Sequence, residues 1–244
     1  MSILAIDTAT QVSSVAVASP GRLSAELTMQ AKLTHSETLM PHIEQVLKMA
    51  AVPKDKIEGI AVSIGPGSFT GLRIGLAAAK AMSYALDVPL VGVSTLAALA
   101  YHYPVAGVRI VCLLDAQKGN AYAETYRWEQ GKLQTVDAVR VAPISEIIEW
   151  CGRMDEPVVL LGDAVQKKIA GKVDLPAGVT VAPAHLLMPR AACVAMLGLD
   201  ELAAGHTDNV MNLEPVYIRR SEAEVLWEKR HPEEAQKTLP TEAM

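Results

Sequence analysis

The chain has 244 residues and a formal charge of −5 at pH 7; half of the residues are hydrophobic and only 4% are aromatic. This length allows one large domain or two small ones around an aliphatic core, and the acidic balance argues against a protein that grips nucleic acid by itself, because such binding rests on many Lys and Arg contacts to phosphates. The three cysteines are far apart and form no C-x-x-C pair, so the sequence indicates neither a zinc knuckle nor a disulfide framework.

The first strand pattern begins almost at the N-terminus. The opening MSILAID leads directly into it, without a basic segment or a long apolar run. No stretch of about 18 uncharged apolar residues occurs anywhere in the sequence. We therefore expect a cytoplasmic protein that does not contact a membrane.

The first half of the chain predicts one α/β unit. Its helix at residues 34–50 begins with Thr34 and Glu37 in the spacing of a capping box. Pro41 lies inside this helix and either kinks it or moves its start nearer to Thr38. The predicted strands are at residues 3–7, 12–19, 23–30, 56–65 and 89–93, and the predicted helices are at residues 34–50, 68–86 and 94–102.

The second half repeats this pattern of elements, although not its residues. In both halves an apolar strand ends in an aspartate and is followed by a turn, two further strands and a helix, so Asp7 and Asp115 occupy matching hairpins. Strands are predicted at residues 108–115, 120–128, 133–141 and 157–163, and helices at residues 143–151, 164–171 and 191–204. We therefore predict two similar lobes, at residues 1–105 and 106–220, and a loosely ordered charged tail at residues 221–244.

Two lobes with paired acidic hairpins describe the actin-like, sugar-kinase-like and Hsp70-like ATPases. The segment GPGSFTGLRIGLAAAKAMSYALDVPLVGV at residues 65–93 resembles the TsaD family of tRNA threonylcarbamoyltransferases. The shorter length of the chain and three of its segments resemble the TsaB (YeaZ) family, the bacterial relatives and partners of TsaD. These segments are HSETLMP, LLDAQKGNAY and EPVYIRR. This resemblance covers residues 1–126, with a further anchor at residues 215–219. It implies two actin-like, RNase H-like α/β lobes of the ASKHA superfamily, with mixed sheets flanked by helices.

The glycine-rich turn SIGPGSFTGLRIG at residues 63–75 leads from a strand into a helix, as phosphate-binding turns do. It is not a Walker motif, because the spacing from Gly65 to Gly71 is one residue too long and Leu72 and Arg73 replace Lys and Ser or Thr. The helix that follows is apolar nearly all round, which is typical of a helix buried on two sides. We therefore favour a packing role for the turn, and phosphate binding is the alternative.

Two helices, at residues 34–50 and 68–86, are the expected partner-binding face. Gly71, Gly75 and Ala79 are spaced by four, so they form a ridge of small residues that suits close approach of another chain. The resemblance implies that TsaB joins TsaD through paired helices, and pairs with itself through the same surface when alone. The sequence does not tell which face of each helix turns inward. The interface candidates are Leu39, Ile43, Leu47, Gly71, Leu72, Gly75, Leu76 and Ala79.

The resemblance also bears on metal binding. In the catalytic relative, an H-x-x-x-H pair holds the metal, and the matching positions here are Thr95 and Leu99. A threonine is a poor transition-metal ligand and a leucine is none. His35 and His42 could share a helix face, but two histidines lack the further ligands that zinc requires. We therefore expect no metal site and no catalytic residue.

The nucleotide cleft implied by the resemblance is expected to be vestigial. Its candidate residues are Asp7, Thr8, Thr10, Ser13, Asp115 and Gly162. Asp115 is followed by alanine rather than by the glycine that would let backbone N–H groups reach phosphate, and Asp163 adds an acid after Gly162. Either the two hairpin acids only cap their turns and face a wet cleft, or nucleotide binding is weak and depends on a partner. We expect no cofactor.

Two functions of different classes follow. The resemblance implies a non-catalytic scaffold subunit in the synthesis of N6-threonylcarbamoyladenosine at tRNA position 37 (t6A). Such a subunit pairs with TsaD, recruits the ATPase TsaE together with TsaD, and contacts tRNA mainly through the complex. The alternative is an ATP-dependent enzyme of the actin-like fold, such as a small-molecule kinase, and ATP binding by the isolated chain distinguishes the two.

Overall fold

The computed structural model describes residues 1–30 and 34–218, so the tail predicted at residues 221–244 lies outside the described residues. The described part is an α/β protein with two five-stranded sheets flanked by helices. None of its helices is long and apolar enough to cross a membrane.

The first sheet has strand order β3-β2-β1-β4-β5. Its strands are β1 (Ile3–Asp7), β2 (Val12–Ser19), β3 (Arg22–Gln30), β4 (Gly59–Gly65) and β5 (Leu90–Ser94). The three N-terminal strands pair antiparallel, whereas β4 pairs parallel with both β1 and β5. Buried residues that share one face of this sheet, among them Leu4, Ile6 and Val62, form an aliphatic core with the two helices packed on it.

Those two helices are α1 (His35–Ala50) and α2 (Phe69–Leu86). The capping box of Thr34 and Glu37 is present at the start of α1, because each residue's side chain meets the backbone of the other. Pro41 lies inside α1, and the helix begins at His35 rather than near Thr38.

The second sheet repeats the topology of the first. Its strands are β6 (Arg109–Asp115), β7 (Asn120–Glu129), β8 (Lys132–Pro143), β9 (Val158–Leu161) and β10 (Val179–Val181). Their order is β10-β9-β6-β7-β8. As in the first sheet, the first three strands pair antiparallel, β6 with β7 and β7 with β8, and the other two pair parallel, β9 with β6 and β10 with β9. The predicted duplication is therefore present in the fold; only β10, three residues long, was not predicted. The helix α4 (Ile144–Gly152) follows β8.

The helix α3 (Thr95–Tyr101) lies between the two lobes. Leu96 and Leu99 are fully buried in the core of the second lobe, whereas Ala98 packs into the core of the first. One short helix thereby joins both cores.

The last helix, α5 (Ala191–Ala203), follows the second sheet in the chain but packs on the first. Val194 and Leu199 lie in a core with Ile3, Ala16 and Ala61 of the first sheet. This differs from the expected boundaries, which put residues 106–220 in one lobe. An apolar helix face is buried against another element of the fold. For α5 that element is the face of the first sheet opposite to α1 and α2.

Polar side chains of the first lobe hold the N-terminus of α5. Ser14 Oγ accepts a hydrogen bond from Ala191 N at 2.9 Å, and Glu26 Oε1 accepts one from Ala192 N at 3.0 Å. Glu26 also forms an ion pair with Arg190. The first N–H groups of a helix lack partners inside the helix, so these contacts satisfy them and fix α5 to β2 and β3.

After α5, residues 206–218 form a strap that crosses the edge of the first sheet. The strap is hydrogen-bonded to β5 from Asp208 N to Leu90 O, at 2.8 Å, and to β4 from Val216 N to Ile64 O, at 2.7 Å. At its end, Tyr217 stacks on Phe69 with the ring centroids 4.9 Å apart. Residues 206–217 of the strap therefore belong with the first lobe, whereas Ile218 at its end packs against the core of the second lobe.

Candidate functional site

The first hairpin, between β1 and β2, holds a carboxylate inside the protein. Asp7 is only 1% exposed, and its Oδ1 accepts a hydrogen bond from Ala9 N at 3.0 Å. Within the described residues, no hydrogen-bond partner lies at normal distance from its Oδ2. Burial raises the pKa of Asp7 to about 6, although the bond from Ala9 and the nearby Ser63 hydroxyl lower it in part. Asp7 therefore does not face a wet cleft, which corrects one of the two interpretations of the hairpin acids.

Two histidines of α1 hold the other side of this hairpin. His35 Nε2 donates to Thr10 O at 2.7 Å, and His42 Nδ1 lies 3.0 Å from Ser13 Oγ, at hydrogen-bond distance. Burial, and then the neighbouring His35, lower the pKa of His42, so its imidazole is neutral at physiological pH. The seven-residue spacing of these histidines thus serves to fix the hairpin.

The glycine-rich turn closes over the same hairpin from α2. A Cβ on Gly67 would lie 2.4 Å from Ala9 O, and a Cβ on Gly71 would lie 2.1 Å from Thr8 O. Ser68 N donates to Ala9 O at 2.7 Å, and Thr8 Oγ1 donates to Gly71 O at 2.8 Å. The glycines are therefore required because the start of α2 touches the backbone of the hairpin. This supports the packing role that we favoured for the turn.

The ridge of small residues on α2 faces inward. Gly71, Gly75 and Ala79 are buried, and a Cβ on Gly75 would lie 2.2 Å from Thr8 Oγ1. The apolar interface candidates Leu39, Ile43, Leu72 and Leu76 are also buried, at 5% exposed or less, and only Leu47 is partly exposed. Seven of the eight interface candidates are therefore buried within the single chain, on the inward face that the sequence could not identify, and Leu47 alone of the eight is partly exposed.

The outward face of the two helices consists of other residues. On α2, Arg73, Ala77, Ala81 and Ala85 are exposed and spaced by four, with Tyr84 beside them at 77% exposed. On α1, Met40 is 55% exposed. The i, i+4 spacing of the alanines was visible in the sequence, but it could not be distinguished from the equally regular ridge of Gly71.

At the second hairpin, the chain's own lysines neutralise the acids. Lys168 Nζ lies 2.5 Å from Asp115 Oδ1, and Lys167 Nζ lies 2.8 Å from Asp163 Oδ2. Burial alone would raise the pKa of Asp115, but the bond to Lys168, the Gln117 N–H and the lysine charges outweigh it and hold that pKa below its ordinary value. Both lysines come from one π-helical turn, Val165–Ile169.

The backbone conformation and its close packing explain why position 162 is a glycine. Its φ is +114°, and a Cβ there would lie 2.0 Å from Leu113 O. Asp163 Oδ1 accepts a hydrogen bond from Asp115 N at 2.9 Å. The close approach of two strand ends therefore accounts for the Gly-Asp pair without a ligand.

The positions that match the metal ligands of the catalytic relative lie in the core. Thr95 and Leu99 are both 0% exposed on α3, between the lobes. In the described part of the chain, no three His, Cys, Asp or Glu side chains come together at a spacing that could hold a metal ion. The donor set at this place is one hydroxyl, Thr95 Oγ1, which is a weak ligand for a transition metal.

The comparisons with known proteins agree with this fold. The family model of TsaD, tRNA N6-adenosine threonylcarbamoyltransferase, matches residues 28–227. The tRNA threonylcarbamoyladenosine biosynthesis protein TsaB of Bacillus subtilis is 32% identical and covers 93% of this chain and 98% of its own, and TsaB of Escherichia coli is 30% identical and covers 94% and 98%. The crystal structure of YeaZ from Pseudomonas aeruginosa superposes with a TM-score of 0.73 at 26% identity, covering 89% of this chain and 99% of that one. The expected α/β fold class, two lobes with mixed sheets flanked by helices, is confirmed.

Proposed function

The chain belongs to the TsaD family of tRNA N6-adenosine threonylcarbamoyltransferases, among the bacterial TsaB proteins of t6A biosynthesis, and we propose that it is the non-catalytic subunit that pairs with TsaD. In this proposal it recruits TsaE together with TsaD, and tRNA is contacted mainly through the complex. In this proposal the complex acts on tRNA in the cytoplasm.

One observation carries the non-catalytic assignment: the polar groups at both hairpins are either buried or bonded within the chain. Asp7 is buried, Thr8 bonds to Gly71, and Asp115 bonds to Lys168. An actin-like ATPase needs such carboxylates and backbone groups available to the phosphates and their cation. In this chain, nucleotide binding would first have to break a close lysine–carboxylate contact.

The activity of the separate proteins tests this assignment. We expect the isolated chain, with tRNA, ATP and a threonylcarbamoyl donor, to form no t6A, as measured by mass spectrometry of digested tRNA. Addition of TsaD and TsaE should give activity that requires all three proteins. Formation of t6A by this chain alone, or full activity of TsaD and TsaE without it, would contradict the proposal.

Nucleotide binding distinguishes the proposal from the small-molecule kinase. Isothermal titration of the isolated chain with ATP and Mg²⁺ should show no binding tighter than about 100 μM. A dissociation constant of about 1 μM, which is about −8 kcal/mol, would favour the kinase, and an Asp115→Asn variant should then lose that affinity.

We propose that the partner surface is the outward face of α1 and α2, with the strap at its border. Tyr84 and Met211 are each 77% exposed, and Lys80, one turn before Tyr84, donates from Nζ to Met211 O at 3.1 Å. Exposed large apolar side chains that lie together are typical of protein–protein interfaces. Alanines at Ala77 and Ala81 leave room for a helix of the partner to approach closely. The same face would serve in a homodimer, so pairing with itself and pairing with TsaD would exclude each other.

An Ala81→Glu variant tests this surface. It places a charge on the outward face without touching the core, so we expect it to weaken TsaD binding at least tenfold in isothermal titration while the circular dichroism spectrum stays native. The matched control is Ala203→Glu, another exposed helical alanine, on α5. Unchanged affinity of the folded Ala81→Glu variant would show that the interface lies elsewhere.

A further inference from the structure

The strand β5 is an edge of the first sheet, and only part of its outer edge is hydrogen-bonded to another segment. Asp208 forms a single antiparallel bridge with Leu90, and Gly92 N donates to Asp208 Oδ2 at 2.7 Å. Because alternate residues of a strand direct their backbone groups to the same side, these bonds show that Leu90, Gly92 and Ser94 present their N–H and C=O groups to the outer edge. In the described residues, no bond from outside the sheet reaches Gly92 O or Ser94 N.

The open half of this edge lines a cavity of about 410 Å³. This volume is within the range of ligand sites in proteins, about 300–1,000 Å³. Its inner wall is apolar, formed by Val91 and Val93 of β5, Ala97 of α3 and Leu197 of α5. Its rim carries two carboxylates, Glu201 and Asp208, and His206, whose Nδ1 lies 2.8 Å from Glu201 Oε2.

We propose that this cavity, the β5-edge site, binds an extended basic segment of another polypeptide. The segment would continue the one-residue bridge made by Asp208 and form backbone hydrogen bonds to Gly92 O and Ser94 N. Strand addition of this kind takes its affinity from the backbone bonds and its selectivity from the side chains next to them. The inference does not depend on the proposed function in t6A synthesis.

The walls of the site select the side chains. Lys and Arg have long aliphatic stems that cover apolar surface while their charged ends stay in water. A stem lying on Leu197 and Ala97 would bring its charge to Glu201 and Asp208 at the rim. An acidic segment would meet two like charges at the same place, so the site discriminates by charge.

Fluorescence anisotropy with defined peptides tests the proposal on the full chain. The probe is the fluorescein-labelled peptide TKVRVKT, compared with TEVEVET and with a TKVRVKT peptide N-methylated at both valines. We expect saturable binding of TKVRVKT and at least tenfold weaker binding of the other two, because one has the wrong charge and the other lacks the N–H groups of a strand. Equal binding of all three peptides, or no binding of TKVRVKT up to 1 mM, would overturn the proposal.

A variant locates the binding. Glu201→Gln keeps the shape of an exposed side chain and removes its charge, so the affinity for TKVRVKT should fall about threefold, the effect of one exposed ion pair. Asp174→Asn, an exposed acid of the second lobe, is the matched control and should leave the affinity unchanged. Hydrogen exchange should slow in residues 90–97 when TKVRVKT is bound; slowing elsewhere but not there would place the peptide outside the β5-edge site and contradict the inference.

Discussion

Folding buries the carboxyl group of Asp7 in an environment that disfavours its charged form. It is 1% exposed and receives one backbone hydrogen bond at normal distance, from Ala9. Desolvation raises its pKa to about 6, from an ordinary value of 3.8. The folded chain therefore holds this proton more tightly than the unfolded chain does.

The pH dependence of stability follows from that difference. Well below pH 3.8 the carboxyl group is protonated in both states and has no effect on the pH dependence. Between pH 3.8 and about pH 6 the unfolded chain releases this proton while the folded chain keeps it, so the free energy of unfolding falls as the pH rises, and the fall levels off above pH 6. An Asp7→Asn variant does not titrate, so its stability relative to the natural chain should rise by about 2–3 kcal/mol between pH 4 and pH 7. Urea unfolding at several pH values measures this difference.

Asp55→Asn serves as the control, because the Asp55 side chain is 71% exposed. It should show no comparable trend with pH. A constant difference between Asp7→Asn and the natural chain from pH 4 to pH 7 would show that Asp7 keeps an ordinary pKa in the folded state.

The sequence identified Asp7 and Asp115 as a matching pair, and the fold places them at matching hairpins. It could not predict their different environments. Asp115 is neutralised by Lys168, which is 53 residues away in the chain, and Asp7 lies near Ser63 of β4 and Cys193 of α5. Local pattern shows that an acid ends a strand, whereas its solvation depends on contacts that no local pattern contains.

At the scale of elements, the contact between α2 and the first hairpin depends on glycine. A methyl group at Gly71 would meet the backbone oxygen of Thr8, which cannot rotate away as a side chain could. An exposed helical glycine gains about 1 kcal/mol on replacement by alanine, whereas forcing a group into a packed interior costs about 1–3 kcal/mol. The sign of the effect therefore tells which face the glycine occupies.

We expect Gly71→Ala to lower the free energy of unfolding by about 1–3 kcal/mol, as measured by urea denaturation. Ala85→Ser, an exposed substitution on the same helix, should change it by less than about 0.5 kcal/mol. A stabilised Gly71→Ala variant would mean that the ridge of small residues faces outward after all.

The helix itself was predictable, and its orientation was not. Composition showed that α2 is apolar nearly all round, which is typical of a helix with neighbours on two sides. The ridges at Gly71 and at Ala77 have the same spacing and similar residues. What separates them is the backbone of Thr8, and its position follows only from the pairing of β1 with β2.

At the scale of the whole molecule, the first lobe is built from both ends of the chain. The sheet residues Ile3, Ala5 and Ala61 are fully buried in a core completed by α5. A fragment of residues 1–105 lacks α5 and keeps only α3, whose Ala98 reaches that core. The order of elements along the chain predicted the two lobes. Local periodicity does not show that the last helix packs on the first lobe instead of the second.

We therefore expect residues 1–105 alone to show no cooperative urea unfolding transition by far-UV circular dichroism. The full chain, which contains α5 and the strap, is the control and should show a cooperative transition under the same conditions. A cooperative transition in the shorter fragment would show that α5 is dispensable for the first lobe.

The late position of α5 also has a consequence in time. About 100 residues separate the end of α3 from the end of α5, and ribosomes add about 5–20 residues per second. During synthesis, one aliphatic face of the first sheet therefore remains without α5 for about 5–20 seconds, while the second lobe is translated. For this interval the nascent chain is at its most prone to aggregate, and the translation speed of the codons for residues 105–203 determines how long the exposure lasts.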